Sequence, residues 1–125
     1  MHERLPATLE SVGAARRAVR RFAAGLDVDV DDILLAVSEA VGNVVAHAYP
    51  EGARGVVELT AGASPCELVV TVRDHGRGFA GGGNPGAGFG LTIIRRVAEQ
   101  VQVSETADGV ALTMGFRRGG TRSTR

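Results

Sequence analysis

The chain has 125 residues, enough for one domain, and its 44% hydrophobic content is enough for a real core. Fourteen basic residues, all arginine, balance fourteen acidic ones, which argues against a broad electrostatic attraction to nucleic acid or to a membrane surface. A single cysteine, Cys66, leaves no internal disulfide; no signal-peptide core and no apolar run of membrane-spanning length is present, so a cytoplasmic setting is expected.

In chain order, the first expected element is a helix over Ala7 to Ala24. Leu9, Val12, Ala15, Val19 and Phe22 recur at spacings of three and four, with Arg16, Arg17, Arg20 and Arg21 interleaved as a solvated basic face. Gly25 breaks the pattern, and Asp29, Asp31 and Asp32 favour a new helix N-terminus. The second helix, Val30 to Ala48, carries Ile33, Leu34, Val37, Val41, Val44 and Val45 on a broad apolar stripe.

Within that helix Glu39 and Asn43 stand four residues apart and share a face. Burying either unpaired costs roughly 1 to 3 kcal/mol, so each needs a partner, a metal or a wet cleft. His47 extends the column, but a histidine near a helix end is read as a hydrogen-bonding or helix-end charge rather than as catalytic. Pro50 and Gly52 end the helix.

Val56 to Thr60 and Glu67 to Arg73 read as two strands reversed by Gly62 to Pro65. Asp74 falls at the end of the second, and Gly76 and Gly78 beyond it let backbone approach a flat ring or bend; turn chemistry is the competing reading. Residues 80 to 90 are the most glycine-rich stretch, ending Gly86-Ala-Gly88-Phe-Gly90, and a helical pattern starts at Leu91 with Ile94, Val97 and Ala98 inward. Bare backbone leading into a helix N-terminus suits phosphate, although a surface loop has the same composition. With no lysine in the chain a P-loop is excluded. Val101 to Thr106 and Val110 to Phe116 read as closing strands around Ala107-Asp-Gly109, and the tail from Arg117 has a disordered composition.

Three motifs now stand in order: Glu39…Asn43, Asp74-x-Gly-x-Gly78, and Gly86-x-Gly-x-Gly-Leu91 before a helix. This order resembles the GHKL (histidine-kinase-like) ATPase superfamily, and in particular its small anti-sigma factor serine/threonine kinases. Leu35 to Tyr49 and Val72 to Phe79 resemble that branch closely, and the likeness runs from the first helix to Phe116. It implies an α/β fold, a two-layer sandwich with a mixed, mainly antiparallel sheet and helices on one face. A single ATP-binding domain over 1–118 and a disordered tail at 119–125 are expected.

The resemblance further implies that ATP and Mg²⁺ are the cofactors, with Asn43 as the Mg²⁺ ligand and Glu39 as the general base. Asp74 would accept a hydrogen bond from the adenine amino group, with Gly76 and Gly78 against the base. Gly86, Gly88, Gly90 and Leu91 would belong to a short lid over the phosphates. Implied partners are a sigma factor and a small anti-sigma factor antagonist protein, with a homodimer as an assembly seen in the branch; no nucleic acid or membrane contact is implied. Gly42 stands where relatives often have threonine, and Val110 where many have threonine after glycine, near the phosphates. Those departures favour an ATP-responsive or degenerate partner-binding module without turnover as the alternative. A detached ATP-binding domain of a two-component histidine kinase is a further one.

Overall fold

The structure is a computed structural model that describes residues 1–50, 54–76 and 91–119. Among the described residues five strands and three α-helices occur, in the order β1 (His2–Pro6), α1 (Glu10–Ala23), α2 (Val30–Asn43), β2 (Val56–Ala63), β3 (Glu67–Asp74), α3 (Leu91–Val97), β4 (Gln100–Thr106) and β5 (Gly109–Arg117). The strands form one open sheet in the order β1-β2-β3-β5-β4. Every described pairing is antiparallel, so the sheet has no mixed character among the described residues.

Alternation along the strands fixes which face is covered. Val57 and Leu59 on β2, Leu68, Val70 and Val72 on β3, and Leu112, Met114 and Phe116 on β5 are all buried. They meet Ala15 and Val19 of α1 and Ile33, Val37 and Val41 of α2 in one core. The intervening positions form the other face, where Thr60, Thr71 and Thr113 lie side by side across three strands and the Thr71 and Thr113 hydroxyls are 3.2 Å apart. The expected two-layer α/β sandwich, with helices on one face, is what the chain forms.

Several boundaries differ from the sequence expectation. β1 has only Leu5 as a strong apolar signal, so its pairing to β2 is decided by tertiary contact rather than by local pattern. Its presence delays α1: the chain first turns at Thr8, where the Ser11 hydroxyl donates to the Pro6 carbonyl, and the helix starts at Glu10 rather than Ala7. α2 begins where expected because the Asp29 side chain accepts from the Asp32 N–H at 3.1 Å. Its far end is not regular α-helix, for residues Val44–Ala48 form a π-helical turn, a widening that often marks functional sites.

The expected tail begins with tethered residues. Arg117 pairs with Glu99 at 2.7 Å, the Arg118 guanidinium donates to Asp27 at 2.9 Å and to the Ser64 carbonyl at 2.7 Å, and the Gly119 N–H donates to the Asp27 carbonyl. Residues 120–125 lie outside the described residues.

Candidate functional site

A cleft opens where the end of α2 and its π-helical turn lie over the ends of β3 and β5. Ala40, Asn43, Val44, His47 and Ala48 line it from the helix side, and Val72, Asp74, Val110 and Leu112 from the sheet. About 340 Å³ of space, open solvent at its mouth included, lies between these walls. Most of its lining is aliphatic, and its carboxylate comes from Asp74.

Asp74 is the last residue of β3, and its position follows from the strand's alternation, which turns every second residue toward the core. It is 4% exposed, one of the few buried polar residues. Its Oδ1 accepts from the Gly76 N–H at 3.0 Å. Burial holds its carboxyl above the usual carboxylate value, while backbone N–H groups of Gly76 and Val110 pull the other way. A buried acceptor among aliphatic walls suits a flat, largely apolar ring that carries an amino donor.

Gly109 and Val110 clasp Asp74 from β5. Gly109 has φ +137°, and a Cβ there would run into the Asp74 carbonyl oxygen, so glycine is required both by backbone conformation and by close approach. This places the departure at Val110 beside Asp74. Valine brings no hydroxyl there, while its backbone N–H serves the carboxylate. The clasp's active groups are backbone atoms with no side-chain signature; in the sequence the pair stood out through the resemblance, near the phosphates, and as a glycine ending a hairpin turn.

On the helix side, Asn43 is half-buried and lines the cleft. Glu39, one turn earlier, is half-buried but is not one of the lining residues. The two share a face, as their spacing requires. His47, read from the sequence as a helix-end residue that extends the Glu39–Asn43 column, lines the cleft from within the π-helical turn. Among the described residues, a Cβ built on Gly42 meets nothing within 4 Å. Neither departure therefore blocks the cleft.

Of the remaining expected site residues, Gly76 follows Asp74 and packs against Tyr49 and the Ala48 carbonyl. Leu91, the first residue of α3, is buried in the core cluster and is not one of the lining residues. Gly78, Gly86, Gly88 and Gly90 lie outside the described residues. No group of three or more metal-ligating side chains occurs among the described residues.

A family model described as a histidine kinase-like ATPase domain matches residues 5–116. The chain belongs to that family. It is 33% identical to serine-protein kinase RsbW of Halalkalibacterium halodurans, with 88% of this chain and 78% of that protein aligned. It is 32% identical to the anti-sigma F factor of Clostridium acetobutylicum, with 84% of each aligned. These matches put it in the anti-sigma kinase branch of the histidine kinase-like ATPases.

Among solved structures, the RsbU and RsbW domains of a Mycobacterium tuberculosis protein share the fold. The TM-score is 0.70 at 23% identity, over 95% of this chain and 33% of that one, so this chain spans about a third of that molecule. No described helix is long and apolar enough to cross a membrane.

Proposed function

We propose that this histidine kinase-like ATPase is an ATP-dependent protein-serine/threonine kinase that acts as an anti-sigma factor. It would phosphorylate a small antagonist protein and sequester a sigma factor. The observation that carries the nucleotide part is the buried Asp74 carboxylate at the base of an aliphatic cleft with Asn43 on its opposite wall. The partner part rests on relatives named serine-protein kinase RsbW and anti-sigma F factor.

In this reading the cleft takes the adenine of ATP, with Asp74 accepting from its amino group and Gly76 and Gly78 leaving room beside the ring. Asn43 offers an amide oxygen to Mg²⁺, whose bound charge offsets that of the phosphates. Glu39 is the general base, one helical turn away, taking the proton of the attacking serine hydroxyl. By the family resemblance, backbone N–H groups of Gly86, Gly88 and Gly90 would hold the phosphates. The branch's homodimer and a cytoplasmic location are part of the same proposal.

Incubation with radiolabelled ATP and a cognate antagonist protein tests the reading. Phosphoserine or phosphothreonine should form, and Glu39→Ala should abolish transfer while ATP binding survives. Retained transfer in Glu39→Ala would remove that residue from its role. Tight partner binding without any label would favour a module without turnover, and acid-labile label would point to a histidine kinase domain.

A further inference from the structure

Tyr49 follows the π-helical turn in extended conformation, and three independent contacts make it the strut of the Asp74 loop. Its hydroxyl donates to the Val56 carbonyl at 2.5 Å and accepts from the His75 N–H at 2.9 Å. The last pair in the β2–β3 ladder is Val57 with Asp74, so the next rung would join Val56 to His75. The Tyr49 hydroxyl is inserted into that rung, using one donor and one acceptor where two backbones would otherwise pair directly.

The ring has its own role. A Cβ on Gly55 would have three Tyr49 ring carbons as its nearest neighbours, all in collision. A Cβ on Gly76 would meet the ring at 2.7 Å and also strike the Ala48 carbonyl. Gly55 and Gly76 thus lie bare against one aromatic ring, and the Gly76 N–H is the donor that orients the Asp74 carboxylate. From the outer face of the sheet, the His75 ring is pinned to Glu58 at 2.7 Å.

We infer that Tyr49 is a positioning residue for base recognition: its ring and hydroxyl set the His75–Gly76 backbone, which in turn aims the Asp74 carboxylate into the cleft. This rests on the reading that the cleft takes adenine. A positioning residue acts on selectivity as well as on affinity, because a carboxylate that drifts no longer distinguishes an amino donor from a carbonyl acceptor.

Calorimetric titration with ATP and with GTP, paired with amide hydrogen exchange at His75 and Gly76, tests the inference on the full chain. Tyr49→Phe keeps the ring and removes the inserted hydroxyl; it should weaken ATP binding about three- to tenfold, the range of one net hydrogen bond, and narrow the ATP-over-GTP preference. Exchange at His75 should accelerate in the same variant without nucleotide. Gly55→Ala should displace the ring and weaken ATP binding, whereas adding it to Tyr49→Ala should cost nothing further, since its collision partner is gone.

Unchanged ATP affinity and selectivity in Tyr49→Phe would overturn the inference, as would unchanged exchange at His75. If the wild-type chain bound no nucleotide, the reading of the cleft would fail. The exchange data would then decide separately whether Tyr49 holds the loop.

Discussion

Gly42→Ala should stabilise the protein. Gly42 lies one residue before the end of α2, and the chain continues helically through Ala48, so it is an interior helical position rather than a cap. Its φ is not in the left-handed region, and a Cβ there meets nothing within 4 Å among the described residues, so alanine brings no strain or collision with them. What remains is the propensity difference, about 0.8 to 1 kcal/mol in favour of alanine, much of it from the smaller entropy of the unfolded chain. With an unfolding entropy of about 2.1 cal/mol/K per residue, a chain of 125 residues should melt about 3 to 4 °C higher. Urea denaturation and a thermal scan on the same preparation measure both quantities, and the urea slope should not change. Gly42→Thr should gain less, because a β-branched side chain loses rotamer freedom in a helix. A lower melting temperature for Gly42→Ala would refute the reasoning, as it would mean that the space beside α2 is filled.

Two further perturbations probe Asp74 and its clasp. Burial raises the Asp74 carboxyl above 3.8, so the folded chain binds this proton more tightly than the unfolded chain does, and stability falls as pH rises from about 3.8 through the folded value. Asp74→Asn should remove that penalty: the variant gains on wild type as pH rises toward 7, the gap closes below about pH 4, and adenine binding is lost throughout. Asp27, lowered by its bond to Arg118, and Glu58, lowered by its bond to His75, have the opposite sign. Their stabilisation is present above about 3.8 and 4.5 and lost on acidification, and it cancels in the comparison of the two proteins. A gap that does not vary with pH, in urea midpoints measured from pH 3 to 7, would contradict the burial assignment. Gly109→Ala combines a left-handed φ with a collision at the Asp74 carbonyl and should cost more than the roughly 1 to 2 kcal/mol of the backbone term alone. A near-neutral urea midpoint would show that the clasp can relax.

The parts of the fold carried by periodicity were legible in the sequence. The stripe from Ile33 to Val41 and the β-rich run of β3 located α2 and set Asp74 at a strand end, and the acidic residues from Asp29 marked where α2 starts; the burial of Asp74 is a finding of the structure. Glu39 and Asn43 could be paired from spacing alone, because i, i+4 on a helix is a geometric statement. What escaped was decided at long range. β1 exists because β2 offers it an edge, and the π-helical turn at the end of α2 has no residue signature of its own. The Val110 N–H beside Asp74 is a backbone group, supplied by a strand distant in sequence, and side-chain identity carries no trace of it.

The central claim is that this cleft binds ATP through Asp74 and, with Mg²⁺, through Asn43. Calorimetric titration with ATP and with GTP, each with and without Mg²⁺, on wild type and Asn43→Ala tests it most directly. Adenine-selective binding by the wild type, tightened by Mg²⁺, is expected, with that tightening lost in Asn43→Ala. Binding that ignores the base, or an Asn43→Ala variant as responsive to Mg²⁺ as the wild type, would contradict it.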